Sequence, residues 1–123
     1  PQDLIRKAAK AQWYANNVGL AYGKILSTCP LNWISKDNDG STIVGKAVDS
    51  CFFPLYEIEN GITSITFDPE EKNARVPVSE WLGLMGKTRH LLKPENAEIL
   101  QNFEDEVETR WQRLKAKDQN PLL

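Results

Sequence analysis

At 123 residues, 41% apolar and 26% charged, the chain has the size and balance of one globular domain with a small core. Its 15 Lys and Arg against 17 Asp and Glu give a net charge of −2, which excludes both the basic surplus of a general nucleic-acid binder and the charge excess of a disordered chain. No apolar run is long enough to span a bilayer, no secretory signal pattern opens the chain, and Cys29 and Cys51 are too few for a disulfide scaffold. With the single His90 they also fall short of a zinc site, so reduced thiols in a cytoplasmic protein are expected. The first residue is Pro1, not Met, and a helical pattern starts at once. The chain therefore reads as part of a longer one.

Asp3 is a plausible N-cap, and Leu4, Ile5, Ala8, Ala9 and Trp13 recur at helical spacing, which predicts a helix from Gln2 to about Ala15. Asn16, Asn17 and Gly19 suit its end. Leu20 to Thr28 is apolar or small at almost every position and predicts a strand covered on both faces, as in a parallel sheet, stopped by Cys29–Pro30. A polar loop with Asn32, Trp33, Asp37, Asn38, Asp39 and Gly40 follows. Ser41 or Thr42 then caps a helix to about Cys51 with Ile43, Ala47 and Val48 inward.

Pro54 breaks that helix. Leu55 to Glu59 and Ile62 to Asp68 flank Asn60–Gly61, the strongest short-range hairpin signal. Pro69 to Pro77 is a charged loop, expected to be mobile. Val78 to Met85 predicts a short helix with Trp81, Leu82 and Met85 inward, weakened by Gly83 and Gly86. Pro94 suits the first turn of a last helix to about Lys117, striped by Ile99, Leu100, Phe103, Val107, Trp111 and Leu114, with Glu106 and Arg110 as a favourable i,i+4 pair. The tail from Asp118 looks frayed.

This order predicts an α/β fold in which the first strand, the helix after it and the hairpin form a small, mostly parallel sheet with a right-handed crossover, flanked by helices. Such a sheet is below the usual size. A strand apolar on both faces needs neighbours on both sides, a second sign of a larger sheet.

Little here is built for catalysis by itself. There is no phosphate-cradling glycine loop, and one histidine cannot serve a triad. His90, beside Arg89 in a short linker, reads as a surface or capping residue. The acidic runs at Glu70–Glu71 and Glu104 to Glu108 read as solvated faces, and Trp81, Phe103 and Trp111 as packing. Trp33 and Cys29 differ, because they lie at the carboxyl end of a predicted strand, where α/β folds place their sites. By position alone a cysteine there is most often a small buried hydrophobe.

The segment Ile25-Leu26-Ser27-Thr28-Cys29-Pro30-Leu31-Asn32-Trp33 resembles the "hydrophobic strand, Cys-Pro, small, Trp" stretch of the 2-oxoacid:ferredoxin oxidoreductases, near the C-terminal end of their thiamine-diphosphate-binding β subunit. Pro54 to Gly61 is similar to the family's next strand and turn. Val76-Pro77-Val78-Ser79-Glu80-Trp81-Leu82 and Met85-Gly86-Lys87-Thr88-Arg89-His90-Leu91 resemble its "Pro-Val-x-Glu-Tyr-Leu … Gln-Gly-Arg-Phe-x-His-Leu" stretch. The helix with Glu106, Arg110, Trp111 and Leu114 resembles its closing "Asp-Glu-x-Trp-x-x-Leu" helix. Asp3 to Ala8 is similar to the helix before the Cys-Pro strand. No one motif is specific, but the ordered set covers nearly the whole chain, and the pyruvate-type subunit matches best.

The resemblance implies the C-terminal portion of a thiamine-binding domain, with residues 1–76 completing that domain and 77–123 forming a helical extension. It implies that Cys29 is one ligand of a [4Fe-4S] cluster whose other three cysteines lie elsewhere in the subunit, and it matches no ligand to Cys51. The Gly-Asp-Gly … Asn segment that holds Mg²⁺ and thiamine diphosphate is not in this chain, so no cofactor is expected to bind it alone. The intact enzyme implied would cleave a 2-oxoacid, pyruvate first, oxidatively with coenzyme A and pass electrons to ferredoxin. Its implied partners are the N-terminal part of the subunit, the other subunits and ferredoxin, with Arg89 and His90 in subunit contacts. The alternative is a stand-alone assembly module that kept the fold and lost the cofactor half, and it would need a polar surface along Leu20 to Thr28.

Overall fold

The computed structural model describes residues 2–123. Helix α1 (Gln2–Asn17) stops where its asparagines predict: the Val18 and Gly19 N–H groups both donate to the Tyr14 carbonyl, at 2.8 and 2.9 Å, and Asn17 Nδ2 donates to the Trp13 carbonyl at 2.7 Å. Its apolar stripe, however, faces outward. Leu4, Ile5, Ala8, Ala9 and Trp13 are exposed, while Asp3, Lys7, Lys10 and Tyr14 are the partly covered side. The surface they meet is the polar face of the hairpin, with Glu57, Glu59 and Thr66, and opposite charges select that side of the helix.

The predicted strand from Leu20 to Thr28 does not form, and with it go the parallel sheet and its crossover. The sheet has two antiparallel strands, β1 (Leu55–Glu59) and β2 (Ile62–Phe67). Strand alternation nonetheless survives near Cys29: Leu26 and Thr28 are partly covered, and Ile25, Ser27 and Cys29 are exposed. A strand needs a neighbour to take its N–H and C=O groups, and among the described residues none lies alongside. Leu20 is left 98% exposed.

Pro30 opens a helix instead of closing a strand. It is the first residue of α2 (Pro30–Trp33), where its fixed φ and missing N–H cost nothing, and Cys29 is the N-cap. A 3-10 turn (Asp37–Asp39) then runs directly into α3 (Gly40–Asp49), so the predicted caps Ser41 and Thr42 fall inside the helix. Ile43 and Ala47 are fully buried there.

The hairpin is as predicted. Asn60 (φ 53°) and Gly61 (φ 81°) both take the left-handed values that a type I′ turn requires. A bulge falls between Leu55 and Tyr56, and beyond it Glu57 pairs with Ser64 and Ile58 with Thr63.

Pro69 to Pro77 is a packed turn, not a mobile loop. Pro69 is fully buried, Asp68 Oδ1 accepts the Glu70 N–H at 2.7 Å, and the Pro69 carbonyl accepts from Ala74 and Arg75 at 2.8 and 3.1 Å. Arg75 bridges the Glu70 and Glu108 carboxylates, and Lys115 reaches Glu70 at 2.7 Å. Two of the charges that suggested a solvated loop, Glu70 and Arg75, are spent on one another and on the C-terminal helix, while Glu71 and Lys72 stay exposed.

Helix α4 (Val78–Gly83) buries Val78, Trp81 and Leu82. Two short 3-10 turns (Arg89–Leu92 and Pro94–Asn96) lead into α5 (Ala97–Gln119), which buries Val107 and Trp111 and leaves Ile99 exposed. Glu106 and Arg110 form no ion pair among the described residues. One core joins Ile43, Ala47, Cys51, Leu82, Val107 and Trp111, so it draws on both sides of position 77. Phe52 stacks between Trp81 and Phe103, with ring centroids 4.1 and 5.8 Å away. No described helix is long and apolar enough to cross a membrane.

Candidate functional site: the Cys29 turn

Cys29 has extended backbone (φ −132°, ψ 95°) and an exposed thiol. The turn behind it is closely defined. Its carbonyl accepts the Trp33 N–H at 2.9 Å, and the Pro30 carbonyl accepts the Ser35 N–H at 3.1 Å. Ile34 ends α2 in the left-handed region (φ 52°, ψ 55°), an uncommon conformation for any residue with a Cβ and a strained one for a β-branched side chain. Strain of this kind persists only where the surroundings over-determine it.

The surroundings here are Gly86 and Lys87. The Gly86 N–H donates to the Ile34 carbonyl at 3.0 Å, the Lys87 N–H to the Trp33 carbonyl at 3.3 Å, and Lys87 Nζ to Asn32 Oδ1 at 3.2 Å. A Cβ on Gly86 would lie 2.8 Å from both Cβ and Cγ2 of Ile34. Gly86 is therefore not a weak point in α4, which ends before it, but the gap that lets this segment dock on the Cys29 turn. On the other side, Trp33 packs partly buried against the core. Its role is to anchor the turn. Nothing in a lone sequence marks Gly86 for this role, because the contact joins positions 52 residues apart.

An open groove of about 460 Å³ lies beside the turn, floored by Pro30, Leu31, Ile34 and Leu84 and rimmed by Lys36 and Arg89. Arg89 Nε also donates to the Gly83 carbonyl at 3.4 Å. His90 is exposed, and its carbonyl accepts from Asn96 Nδ2 at 2.8 Å.

Cys29 and Cys51 have opposite environments. Cys51 sits in the core, and burial pushes its thiol up to about 11 despite the opposing pull of Arg75. A thiol so placed stays protonated at neutral pH and is a poor ligand and nucleophile. Iodoacetamide at pH 8 is therefore expected to add one carboxamidomethyl group to the native chain, at Cys29, and a second only in denaturant. Peptide mass spectrometry reads the result, and equal labelling of both thiols in the native chain would contradict the burial of Cys51.

Among the described residues no group of three His, Cys, Asp or Glu side chains is placed to hold a metal ion. A [4Fe–4S] cluster takes four thiolates. The donor set fits such a cluster only as one corner: Cys29 is exposed and held by a rigid turn, and the other corners would come from outside these residues.

No family model matches the chain, and no solved structure does. Curated relatives match over nearly its whole length. Ketoisovalerate oxidoreductase subunit VorB of Pyrococcus furiosus is 35% identical over 115 residues, covering 94% of this chain and 34% of that protein. Pyruvate synthase subunit PorB of Thermotoga maritima is 33% identical, covering 93% of the chain and 34% of that protein. Pyruvate synthase subunit PorB of Methanosarcina barkeri is 37% identical over 98 residues, covering 80% and 31%. The chain spans about a third of the length of these relatives.

Proposed function

The chain belongs to the B-subunit family of the 2-oxoacid:ferredoxin oxidoreductases, and from that premise we propose that it is the part of such a subunit that supplies one thiolate, Cys29, to a [4Fe–4S] cluster. The observation that carries this reading is the match of almost the entire chain to B subunits about three times its length. The exposure of Cys29 and the bracing of its turn from two sides support it. A ligand fixed before the cluster arrives loses little freedom on binding, and hydrogen bonds around the sulfur tune the potential.

In the complete enzyme the reaction is the oxidative cleavage of a 2-oxoacid with coenzyme A to acyl-CoA and CO₂, with electrons leaving through clusters to ferredoxin. Pyruvate is the first candidate and a branched 2-oxoacid the second. Thiamine diphosphate with Mg²⁺ supplies the carbanion-stabilising chemistry there, bound by residues outside this chain. The chain alone is inactive in this reading. It works in the cytoplasm with the rest of its subunit and the other subunits, and Arg89 and His90 lie in the contacts between them. A stand-alone module would keep a polar surface along residues 20–28, whereas Leu20, Tyr22 and Ile25 are exposed apolar side chains.

The test is Cys29→Ser in the complete subunit, assembled with its partners. Iron and sulfide content should fall by one cluster. Ferredoxin reduction should drop by more than the roughly 10- to 100-fold that changes around a metal's ligands typically cost. Unchanged iron content and ferredoxin reduction in the assembled variant would remove Cys29 from the cluster.

A further inference from the structure

We propose that Gly86 and Gly40 are positioning residues for the Cys29 sulfur: the close packing they permit on either side of Cys29 sets where its thiolate stands, and with it the reduction potential of the cluster it serves. This rests on the reading of Cys29 as a ligand, and every contact it needs lies inside this chain.

On the C-terminal side the restraint passes through the turn. The Cys29 carbonyl accepts the Trp33 N–H at 2.9 Å, so the two residues move together. The Trp33 and Ile34 carbonyls in turn accept the Lys87 and Gly86 N–H groups at 3.3 and 3.0 Å. A Cβ on Gly86 would stand 2.8 Å from Ile34 Cβ and Cγ2, so the two segments are already as close as they can come. On the N-terminal side, Thr28 directly precedes Cys29 and rests on the first residue of α3. A Cβ on Gly40 would lie 3.1 Å from Thr28 Oγ1 and 3.8 Å from its Cγ2. Neither glycine has a positive φ, so neither serves a left-handed backbone. Each marks a close approach, one before Cys29 and one after it.

A cysteine has a single side-chain torsion ahead of its sulfur, with three staggered wells, so the backbone on both sides decides where the sulfur can stand. The potential of an iron–sulfur cluster follows the hydrogen bonds to its sulfurs and its exposure to solvent, and both change when a ligand is displaced. Groups behind a metal's ligands typically change affinity or activity roughly 10- to 100-fold. The two glycines should differ in effect. Bulk at Gly86 meets the branched Cβ of Ile34 and its carbonyl oxygen, whereas bulk at Gly40 meets a hydroxyl that can rotate away.

The test uses the complete subunit assembled with its partners, in redox titrations followed by electron paramagnetic resonance. The signal that Cys29→Ser abolishes identifies the cluster. Gly86→Ala should keep the iron content and shift that cluster's reduction equilibrium by about tenfold, about 59 mV for one electron. Gly40→Ala should shift it less, and Ile34→Gly added to Gly86→Ala should restore the original potential and signal. A merely structural role would lower the yield of assembled enzyme and leave the potential of the assembled fraction unchanged, and that result overturns the proposal. So does a shift that Ile34→Gly fails to reverse. Should Gly86→Ala not assemble, the potential of Gly40→Ala decides in the same way. A signal that survives Cys29→Ser removes the ligand reading itself, whereas its loss there with unshifted potentials in both glycine variants removes only the positioning role.

Discussion

Trp111→Ala is expected to leave the chain without a cooperative unfolding transition at 37 °C. Trp111 is 1% exposed and is the largest fully buried side chain, at the point where α5 meets the core. Truncating a buried Trp to Ala costs about 3–5 kcal/mol in lost transfer energy and cavity. A domain of this size has only about 5–15 kcal/mol in total, and this one leaves a helix without any buried residue. The matched control is Trp111→Phe. Trp111 Nε1 is buried with no hydrogen-bond partner, and an unmet buried donor itself costs about 1–3 kcal/mol. Phenylalanine removes that donor along with some volume, so its two effects offset and the variant should fold. Thermal melts followed by circular dichroism separate the cases. A Trp111→Ala chain as stable as Trp111→Phe would mean that α5 is not held by this contact.

Gly86→Ala carries the next largest effect. The φ of Gly86 is not positive, so alanine meets no backbone strain there. The cost is steric: its Cβ would stand 2.8 Å from Ile34 Cβ and Cγ2 and 3.1 Å from the Ile34 carbonyl oxygen. Overpacking of this kind costs about 1–3 kcal/mol, and it falls on the hydrogen bonds that hold the Cys29 turn. Ile34→Gly should act the other way, because it relieves a left-handed β-branched residue and gives up a side chain that is already exposed. In the double variant the clash with the Ile34 side chain is gone, so Gly86→Ala should cost much less than it does alone. Contacting pairs couple by about 0.5–3 kcal/mol, and denaturant melts of the four chains measure this. An additive cycle would show that the two positions do not touch.

Local physics made much of the chain legible. Asn60–Gly61 specifies its hairpin because a type I′ turn needs positive φ at both central residues, which Asn and Gly adopt most readily. Ile43, Ala47, Trp81, Leu82, Val107 and Trp111 could be read as core because helical spacing puts them on inward stripes, and they are buried. The Cys29–Pro30 pair also stood out, although Pro30 turned out to open a helix. The stretch from Leu20 to Thr28 misled for a definite reason. Its composition suits a strand covered on both faces, but a strand exists only where a second strand accepts its hydrogen bonds, and among the described residues none lies beside it. The apolar stripe of α1 misled in the same way: periodicity gives the stripe, and the partner decides which side is covered.

The sequence by itself determined α1, α3, α4 and α5 as helices, the hairpin, most of the core residues and the family, since each rests on spacing and order along one chain. Only the tertiary structure decided that Arg75 locks Pro69 to Pro77 against α5, and that Gly86 braces the Cys29 turn. It alone decided that α1 lies on charges and not in the core. Each of these depends on residues far apart in the chain meeting at a few ångströms, where sterics and charge pairing act and sequence spacing carries no record of them.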